Sequence, residues 1–277
     1  MKLSLPVTYC CYEMPYGPGM ERPSCPREGP QTAVLPIDPG RTAIVAMHIW
    51  NLGEQDGPYP FAEDAEPTGT TGDWVLRARD ITRDLIAPLL TAARRVGIAL
   101  IHNAGPTYAD RYASHRELTQ DSEYREPRVP TAGCVRPFSV ADRRALRYGG
   151  HFPGHVADTH RDVLDIAASC RPYGNEPVVV DGWQTNQWCR EHDIDTLLYV
   201  GFVANFCVLD SPGGIREMAT RFNYRVVLLT DATTAHEFPD TVEGEQMAFF
   251  VARQVQYRFG FTALADDLRQ RLDTVSN

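Results

Sequence analysis

Residues 196–230 read TLLYVGFVANFCVLDSPGGIREMATRFNYRVVLLT, and this stretch decides the fold class. An apolar run over 196–201 ends at a glycine, a segment with helical spacing covers 210–222, and a second apolar run follows at 224–230. Strands that are apolar along their whole length are typical of parallel sheets with helices packed on both faces. The stretch therefore predicts a strand–helix–strand unit of an α/β protein.

The same alternation occurs elsewhere in the chain. Apolar runs at 42–48, 97–103 and 177–181 predict three more buried strands. Amphipathic spacing predicts a long helix over 75–96, and a further helix over 240–256 after the last strand. The complete pattern indicates a parallel sheet covered by helices on both faces.

The domain organisation predicted from the sequence is a single domain over 41–277 behind an N-terminal extension, 1–40. No linker rich in Pro, Gly or Ser divides the 277 residues into two halves that could each hold a core. An excursion at 104–176 is too long for a simple crossover, and it contains two predicted helices, at 141–148 and 156–168. Either this excursion packs against a second subunit or it closes over the active site as a lid.

The overall composition excludes several classes of function. A net charge of -9 without clusters of Lys or Arg argues against nucleic acid and anionic membranes as partners. The seven cysteines show no CxxC spacing, and neither a signal peptide nor an apolar window of membrane-spanning length is found, so we expect a cytoplasmic protein. The sequence lacks the glycine-rich patterns of a flavodoxin-like or other nucleotide-binding oxidoreductase and the GxSxG of a serine hydrolase, and we expect no cofactor.

Polar and aromatic side chains follow the predicted strands at the point where each strand ends. In open α/β sheets ligands bind at the carboxyl ends of the strands, so these residues are candidates for the site. They are His48, Trp50 and Asn51; His102 and Asn103; Asp181 and Trp183; Asn205, Phe206 and Cys207; and Asp231, Thr233 and Thr234.

Cys207 is the candidate nucleophile. A lone cysteine is usually a core residue, but Cys207 lies where a helix should begin after a buried strand. At a helix N-terminus the free N–H groups and the helix dipole favour a thiolate and lower its pKa. Ser211 and Pro212 also form a good helix start, which would place Cys207 on a tight turn before the helix. The other six cysteines lack this setting.

The segments GFVANFCVLDSPGGIREMATRFNYRVVLLTDATTA and RTAIVAMHIWN resemble the isochorismatase-like cysteine hydrolases, the group of nicotinamidase and N-carbamoylsarcosine amidase. The resemblance covers about residues 40–265. It implies a three-layer α/β/α sandwich with a mostly parallel sheet of about six strands, and a homo-oligomer, either a dimer or a tetramer. It also implies a cis peptide at Val203–Ala204 and an oxyanion hole formed by the backbone N–H groups of Ala204 and Cys207. Members of this family hydrolyse amide, imide, ureido or enol-ether bonds of small molecules.

Two positions differ from the family pattern. His48 stands where the family has its catalytic aspartate, and no lysine occurs near 178–184, where Asp181 is the nearest ionisable residue. We therefore expect a His48–Asp181–Cys207 set, in which His48 moves the proton and Asp181 orients the imidazole. Such a set would cleave a C–N bond through an acyl-enzyme at Cys207. The alternative is a catalytically silent relative with a binding or assembly role.

Six further residues are predicted to bind the substrate. Three aromatic side chains among them would suit a flat or apolar small molecule, although core packing explains each ring equally well. The six are Trp50, Asn51, His102, Trp183, Asn205 and Phe206. His48 and His102 could form part of a metal site, but no ligand spacing supports one, and we expect no metal.

Overall fold

The computed structural model describes residues 3–11, 29–58, 74–120 and 162–276. Their strands form one eight-stranded sheet in the order β2-β1-β8-β7-β6-β3-β4-β5. The strands are β1 (Leu3–Cys11), β2 (Gly29–Ile37), β3 (Thr42–Met47), β4 (Ala99–Asn103), β5 (Val178–Val179), β6 (Thr196–Phe202), β7 (Arg225–Thr234) and β8 (Phe261–Ala263). The pairs from β3 to β8 are all parallel, which confirms the predicted α/β class.

Helices cover both faces of the sheet. They are α1 (Trp74–Ile81), α2 (Ala87–Val96), α3 (Ala113–Gln120), α4 (Gly182–Glu191), α5 (Ile215–Thr220), α6 (Gln246–Gln254) and α7 (Ala265–Ser276), with π-helical turns at Thr82–Ile86, Ala204–Val208 and Val255–Phe259. One apolar core lies between the sheet and α1, α2 and α7, and a second lies between the sheet and α4, α5 and α6. The two cores establish the three layers. None of the helices over the described ranges is both long and apolar enough to cross a bilayer.

The central strands are buried because their sequences are apolar on both faces. All residues of β3 and of β6 are buried, and β3 pairs with β6 in register along the whole length of β3. Continuous Val, Ile and Leu runs of this kind bury apolar surface against helices on both sides, which stabilises each residue by about 25 cal/mol for every Å² removed from water.

The N-terminal residues add two strands that the sequence interpretation did not include. β1 and β2 form an antiparallel hairpin, and β1 pairs with β8 at Thr8 and Thr262. Leu3, Leu5 and Val7 point into the core beneath α7. Much of the predicted extension therefore forms the edge of the main sheet.

The excursion departs from its prediction where it is described. The predicted helix at 141–148 and the first part of the one at 156–168 lie outside the described residues. Of the described remainder, 162–163 is helical but 164–167 is not: Ile166 forms a bridge with Trp50, and a short 3-10 helix follows at Ala168–Cys170. Asn51 holds this segment extended, because its Oδ1 accepts the N–H of Asp165 at 2.9 Å and its own N–H bonds to the Asp165 carbonyl at 3.0 Å.

Candidate functional site

The site lies at the carboxyl edge of the three neighbouring strands β6, β3 and β4. Met47, the last residue of β3, pairs with Gly201 of β6 on one side and with Asn103 of β4 on the other. Gly201 has φ +114, and a Cβ atom at this position would lie 1.9 Å from the Met47 carbonyl oxygen. Only glycine permits this approach. The segments that follow the three strands therefore begin side by side.

Cys207 lies within the π-helical turn Ala204–Val208, and the regular helix α5 begins only at Ile215. The cis peptide is Phe202–Val203, so its prediction at Val203–Ala204 was wrong by one residue. The thiol is half-buried and packs against the core beneath α4, α5 and α6.

Burial raises the pKa of the Cys207 thiol above its ordinary value. The Ser211 side chain and the Val203 backbone lie beside the sulfur and partly counteract this effect. The sequence had predicted a lowered pKa at a helix N-terminus, and that prediction was wrong because the turn around Cys207 is separate from the N-terminus of α5. In the resting protein Cys207 is therefore a neutral thiol.

His48 follows β3 in the left-handed region, with φ +47. Its N–H donates to the Asn103 carbonyl at 2.9 Å, and its ring stacks on Trp50 with 4.9 Å between the ring centres. Nδ1 is buried and has no hydrogen-bond partner among the described residues. Burial lowers the pKa of His48 to about 4, well below the ordinary value assumed from the sequence. The imidazole is therefore neutral at pH 7 and can accept a proton.

Asp181 takes a structural position at the start of α4. Its Oδ1 accepts the N–H of Gln184 at 2.8 Å, and its carbonyl accepts the Thr185 hydroxyl at 2.8 Å. This is the geometry of a helix N-cap. In the described part of the chain no hydrogen bond or ion pair joins Asp181 to His48, so the structure lends no support to the expected role of this carboxylate in orienting the imidazole.

Aromatic rings extend from His48 across the segment that carries Cys207. Trp50 lies 6.4 Å from Trp74, Trp74 lies 6.4 Å from His236, and His236 lies 6.1 Å from Phe206, all between ring centres. Phe206 is 43% exposed. The sequence interpretation missed Trp74 and His236, since one belongs to α1 and the other follows the long strand β7.

Asn205 fixes the position of His236. The amide Nδ2 of Asn205 donates to the His236 carbonyl at 3.1 Å, and the amide oxygen accepts the His236 N–H at 3.0 Å. Both groups of the side chain are thus engaged in joining the ends of β6 and β7. The residue shapes the site through this contact.

Two predicted substrate-binding residues lie apart from the aromatic series. His102 pairs with Glu176 at 2.9 Å, and Arg94 of α2 holds both oxygens of that carboxylate at 2.7 and 2.8 Å. The Trp183 ring packs against Phe222 and under the Arg221 guanidinium, which lies 4.4 Å from the ring centre. The contacts of His102 and Trp183 are structural, as are those of Asn51 with the extended segment.

The strand-end residues of β7 also have structural partners. The carboxylate of Asp231 accepts the N–H groups of Ala265 and Asp266 at the start of α7. The Thr233 hydroxyl donates to the Gly201 carbonyl at 2.6 Å. The sequence placed these residues after the strand, but β7 continues to Thr234, and their side chains connect β7 to α7 and to β6.

Tyr108 is a site residue that the sequence interpretation missed. It lies in the turn after β4, and its side chain is only 1% exposed. The Trp50 side chain lies beside its hydroxyl, and Cys207 is close enough for a thiolate to raise the pKa of this phenol. The Gly105 backbone and the Trp50 side chain can donate to the phenol oxygen, but the hydroxyl has no hydrogen-bond acceptor in the described part of the chain. No sequence motif marks this residue.

Two clefts formed by described residues lie away from this edge. One of about 310 Å³ lies between α3 and α4 beside Trp188, and one of about 530 Å³ lies between α2 and α7 beside Arg95 and Arg269. Cys207 lines neither of them. Among the described residues no group of three or more His, Cys, Asp and Glu side chains is arranged to hold a metal ion.

No family model matches this chain, and no curated protein matches it. Solved structures similar to it include a cysteine hydrolase from Pseudomonas syringae pv. phaseolicola 1448A, at 19% identity and TM-score 0.49, covering 86% of this chain and 95% of that one. An isochorismatase family protein from Desulfovibrio vulgaris subsp. vulgaris str. Hildenborough is 19% identical, with TM-score 0.44, and the match covers 86% of this chain and 99% of that one. An isochorismatase family protein from Burkholderia thailandensis is 17% identical, with TM-score 0.46, and the match covers 86% of this chain and 97% of that one. Likenesses of this size do not establish an activity.

Proposed function

We propose that the chain is a cysteine-dependent hydrolase of the isochorismatase-like superfamily that cleaves a C–N bond of a small molecule. The substrate would be an amide, an imide or a ureido compound. The observation that carries the proposal is the pairing of Met47 with Gly201, because it sets a neutral imidazole and a cysteine on the segments that follow adjacent strands. The aromatic series from Trp50 to Phe206 would hold a flat or apolar substrate beside them.

The resting pKa values shape the proposed mechanism. Because the thiol is protonated and His48 is a weak base, a thiolate–imidazolium pair is a minor species before substrate binds. The proton of Cys207 therefore passes to His48 as the sulfur attacks the carbonyl carbon. The backbone N–H groups of Ala204 and Cys207 would bind the resulting oxyanion.

The remaining steps return the proton. The imidazolium gives its proton to the leaving nitrogen as the C–N bond breaks, which leaves a thioester on Cys207. Water, deprotonated by the now neutral His48, then hydrolyses the thioester and regenerates the thiol. Asp181 has no step in this scheme because its carboxylate caps α4.

A catalytically silent protein with a binding or assembly role is the second candidate. The raised pKa of Cys207 and the helix-capping role of Asp181 favour it, since both depart from the arrangement expected of an activated thiol. The two candidates differ in whether Cys207 forms a covalent acyl intermediate.

Three wider inferences belong to the same proposal. The acidic net charge is consistent with a small-molecule substrate and disfavours nucleic acid and anionic membranes. The resemblance supports a homo-oligomer, and the sequence supports a cytoplasmic protein. The hydrolase domain would include the β1–β2 hairpin as well as residues 41–277, because β1 joins the main sheet.

Acylation by p-nitrophenyl acetate tests the proposal, because this activated ester does not require knowledge of the natural substrate. We expect a burst of p-nitrophenolate and a single acetyl group on Cys207, located by peptide mass spectrometry. Cys207→Ser should lose both, and Cys10→Ser, which changes a partly exposed cysteine in β1, should retain both. A wild-type protein without an adduct at Cys207 would establish the silent alternative.

A further inference from the structure

The buried hydroxyl of Tyr108 requires an explanation. Buried polar atoms in folded proteins nearly always have a hydrogen-bond partner, and the cost of leaving one without a partner is substantial. Tyr199 shows the usual arrangement in this protein, since its buried hydroxyl donates to the Gly213 carbonyl at 2.9 Å. Tyr108 is equally buried, and although the Gly105 backbone and the Trp50 side chain can donate to its oxygen, its hydroxyl has no acceptor among the described residues.

The position of this hydroxyl relates it to Cys207. β4 lies next to β3 and β3 next to β6, so the Tyr108 turn, His48 and the Cys207 turn follow three neighbouring strands. Trp50 lies between two buried polar atoms whose hydrogen bonding is incomplete in the described chain. The His48 ring, whose Nδ1 is one of them, stacks on Trp50, and the Tyr108 hydroxyl, the other, lies beside it. Two such atoms at one strand edge indicate a site that a ligand completes.

We propose that the Tyr108 hydroxyl donates a hydrogen bond to an oxygen or nitrogen atom of the group that Cys207 attacks. This inference rests on the proposed function. This contact restricts the substrate to compounds in which the group that is cleaved has a hydrogen-bond acceptor facing β4. The carbonyl oxygen or the leaving atom of an amide or ureido group can be that acceptor. Tyr108 would hold that group in position for attack.

Tyr108 keeps its proton throughout this scheme. Burial raises the pKa of its phenol well above the usual range, so the hydroxyl stays protonated and acts as a donor at neutral pH. The sulfur–carbon bond forms, the bond to the leaving atom breaks, and the thiol proton travels to that atom through His48. Proton transfer by Tyr108 is not required at any step.

Tyr108→Phe tests the inference, with Tyr199→Phe as the matched control. The two probes are p-nitrophenyl acetate, which presents acceptor atoms at the attacked carbon, and iodoacetamide, which is attacked at a CH₂ carbon and loses iodide. We expect Tyr108→Phe to slow acetylation of Cys207 by about tenfold to a hundredfold, the usual effect of removing one donor. Its rate of alkylation should not fall, and its melting temperature should fall less than that of Tyr199→Phe, because the Tyr108 hydroxyl donates to no acceptor among the described residues.

The control should behave in the opposite way. Tyr199→Phe removes a satisfied buried hydrogen bond, so its melting temperature should fall while acetylation of Cys207 is unchanged. Equal acetylation in Tyr108→Phe and wild type would overturn the inference while the proposed function stood. A parallel loss of acetylation and alkylation would also overturn it, since Tyr108 would then only shape access to the thiol. Wild-type protein that is alkylated but never acetylated at Cys207 would overturn both proposals.

Discussion

At the scale of single residues, burial decides the chemistry of this edge of the sheet. The sequence correctly singled out Cys207 and His48 as residues at the ends of β6 and β3, because parallel strands bring their carboxyl ends together. It could not give their ionisation, since burial depends on neighbours that are distant in sequence, such as Trp50 stacked on His48. Burial lowers the pKa of His48 and raises the pKa of Cys207, and both shifts favour the neutral side chain.

The lowered pKa of His48 predicts a pH dependence of stability. An unfolded chain binds a proton at His48 below pH about 6.5, whereas the folded protein binds it only below about 4, so stability falls as pH drops through this window. The His48 contribution amounts to about 3 kcal/mol at most. His48→Asn keeps a residue tolerant of φ +47 and should lose less stability between these pH values in urea titrations. Parallel curves for both proteins would contradict the burial of His48.

At the scale of elements, the close approach of β6 to β3 is the feature on which the site depends. Gly201→Ala would place a methyl group against the Met47 carbonyl in a left-handed backbone, and we expect a loss of at least about 3 kcal/mol in the free energy of unfolding. Gly97→Ala is the control, because Gly97 also has positive φ but faces open space, and it should cost about 1–2 kcal/mol. Equal losses in urea denaturation would contradict the close contact.

The buried elements were the ones that could be predicted from the sequence. The apolar runs that form β3, β4, β6 and β7 were predicted because a short continuous apolar run is typical of a buried strand. The predicted helix start near 210 was wrong, since the chain first forms the turn around Cys207 and α5 begins after Gly213 and Gly214. The helix predicted over 156–168 does not continue through 164–167, because this segment pairs with Asn51 and Trp50. β8, with three residues, gave too short a pattern to be recognised.

At the scale of the whole molecule, the N-terminal hairpin is part of the core. Leu5 of β1 is fully buried, so Leu5→Ala should lower the free energy of unfolding by about 2–5 kcal/mol. Val34→Ala in β2 is the control: this side chain is 65% exposed, and the change should cost less than about 0.5 kcal/mol. Urea denaturation compares the two. A small effect of Leu5→Ala would mean that the hairpin is an appendage, as the sequence had suggested.

The sequence predicted the position of the candidate site better than it predicted the contacts of the individual side chains. Strand ends and the family resemblance indicated where Cys207 would lie, but roles for Asp181, His102 and Trp183 depended on side-chain directions that a strand pattern does not specify. Tyr108 had no motif at all, since its importance comes from a missing hydrogen bond.

The rate of Cys207 acetylation by p-nitrophenyl acetate, measured against pH, tests the central claim most directly. If His48 takes the thiol proton, the rate should rise through the pKa of His48 near 4 and stay level between about pH 5 and 8. His48→Asn should abolish that plateau. A wild-type rate that instead climbs steadily to beyond pH 9, as expected for a free thiol whose pKa is raised by burial, would show that His48 is not the base.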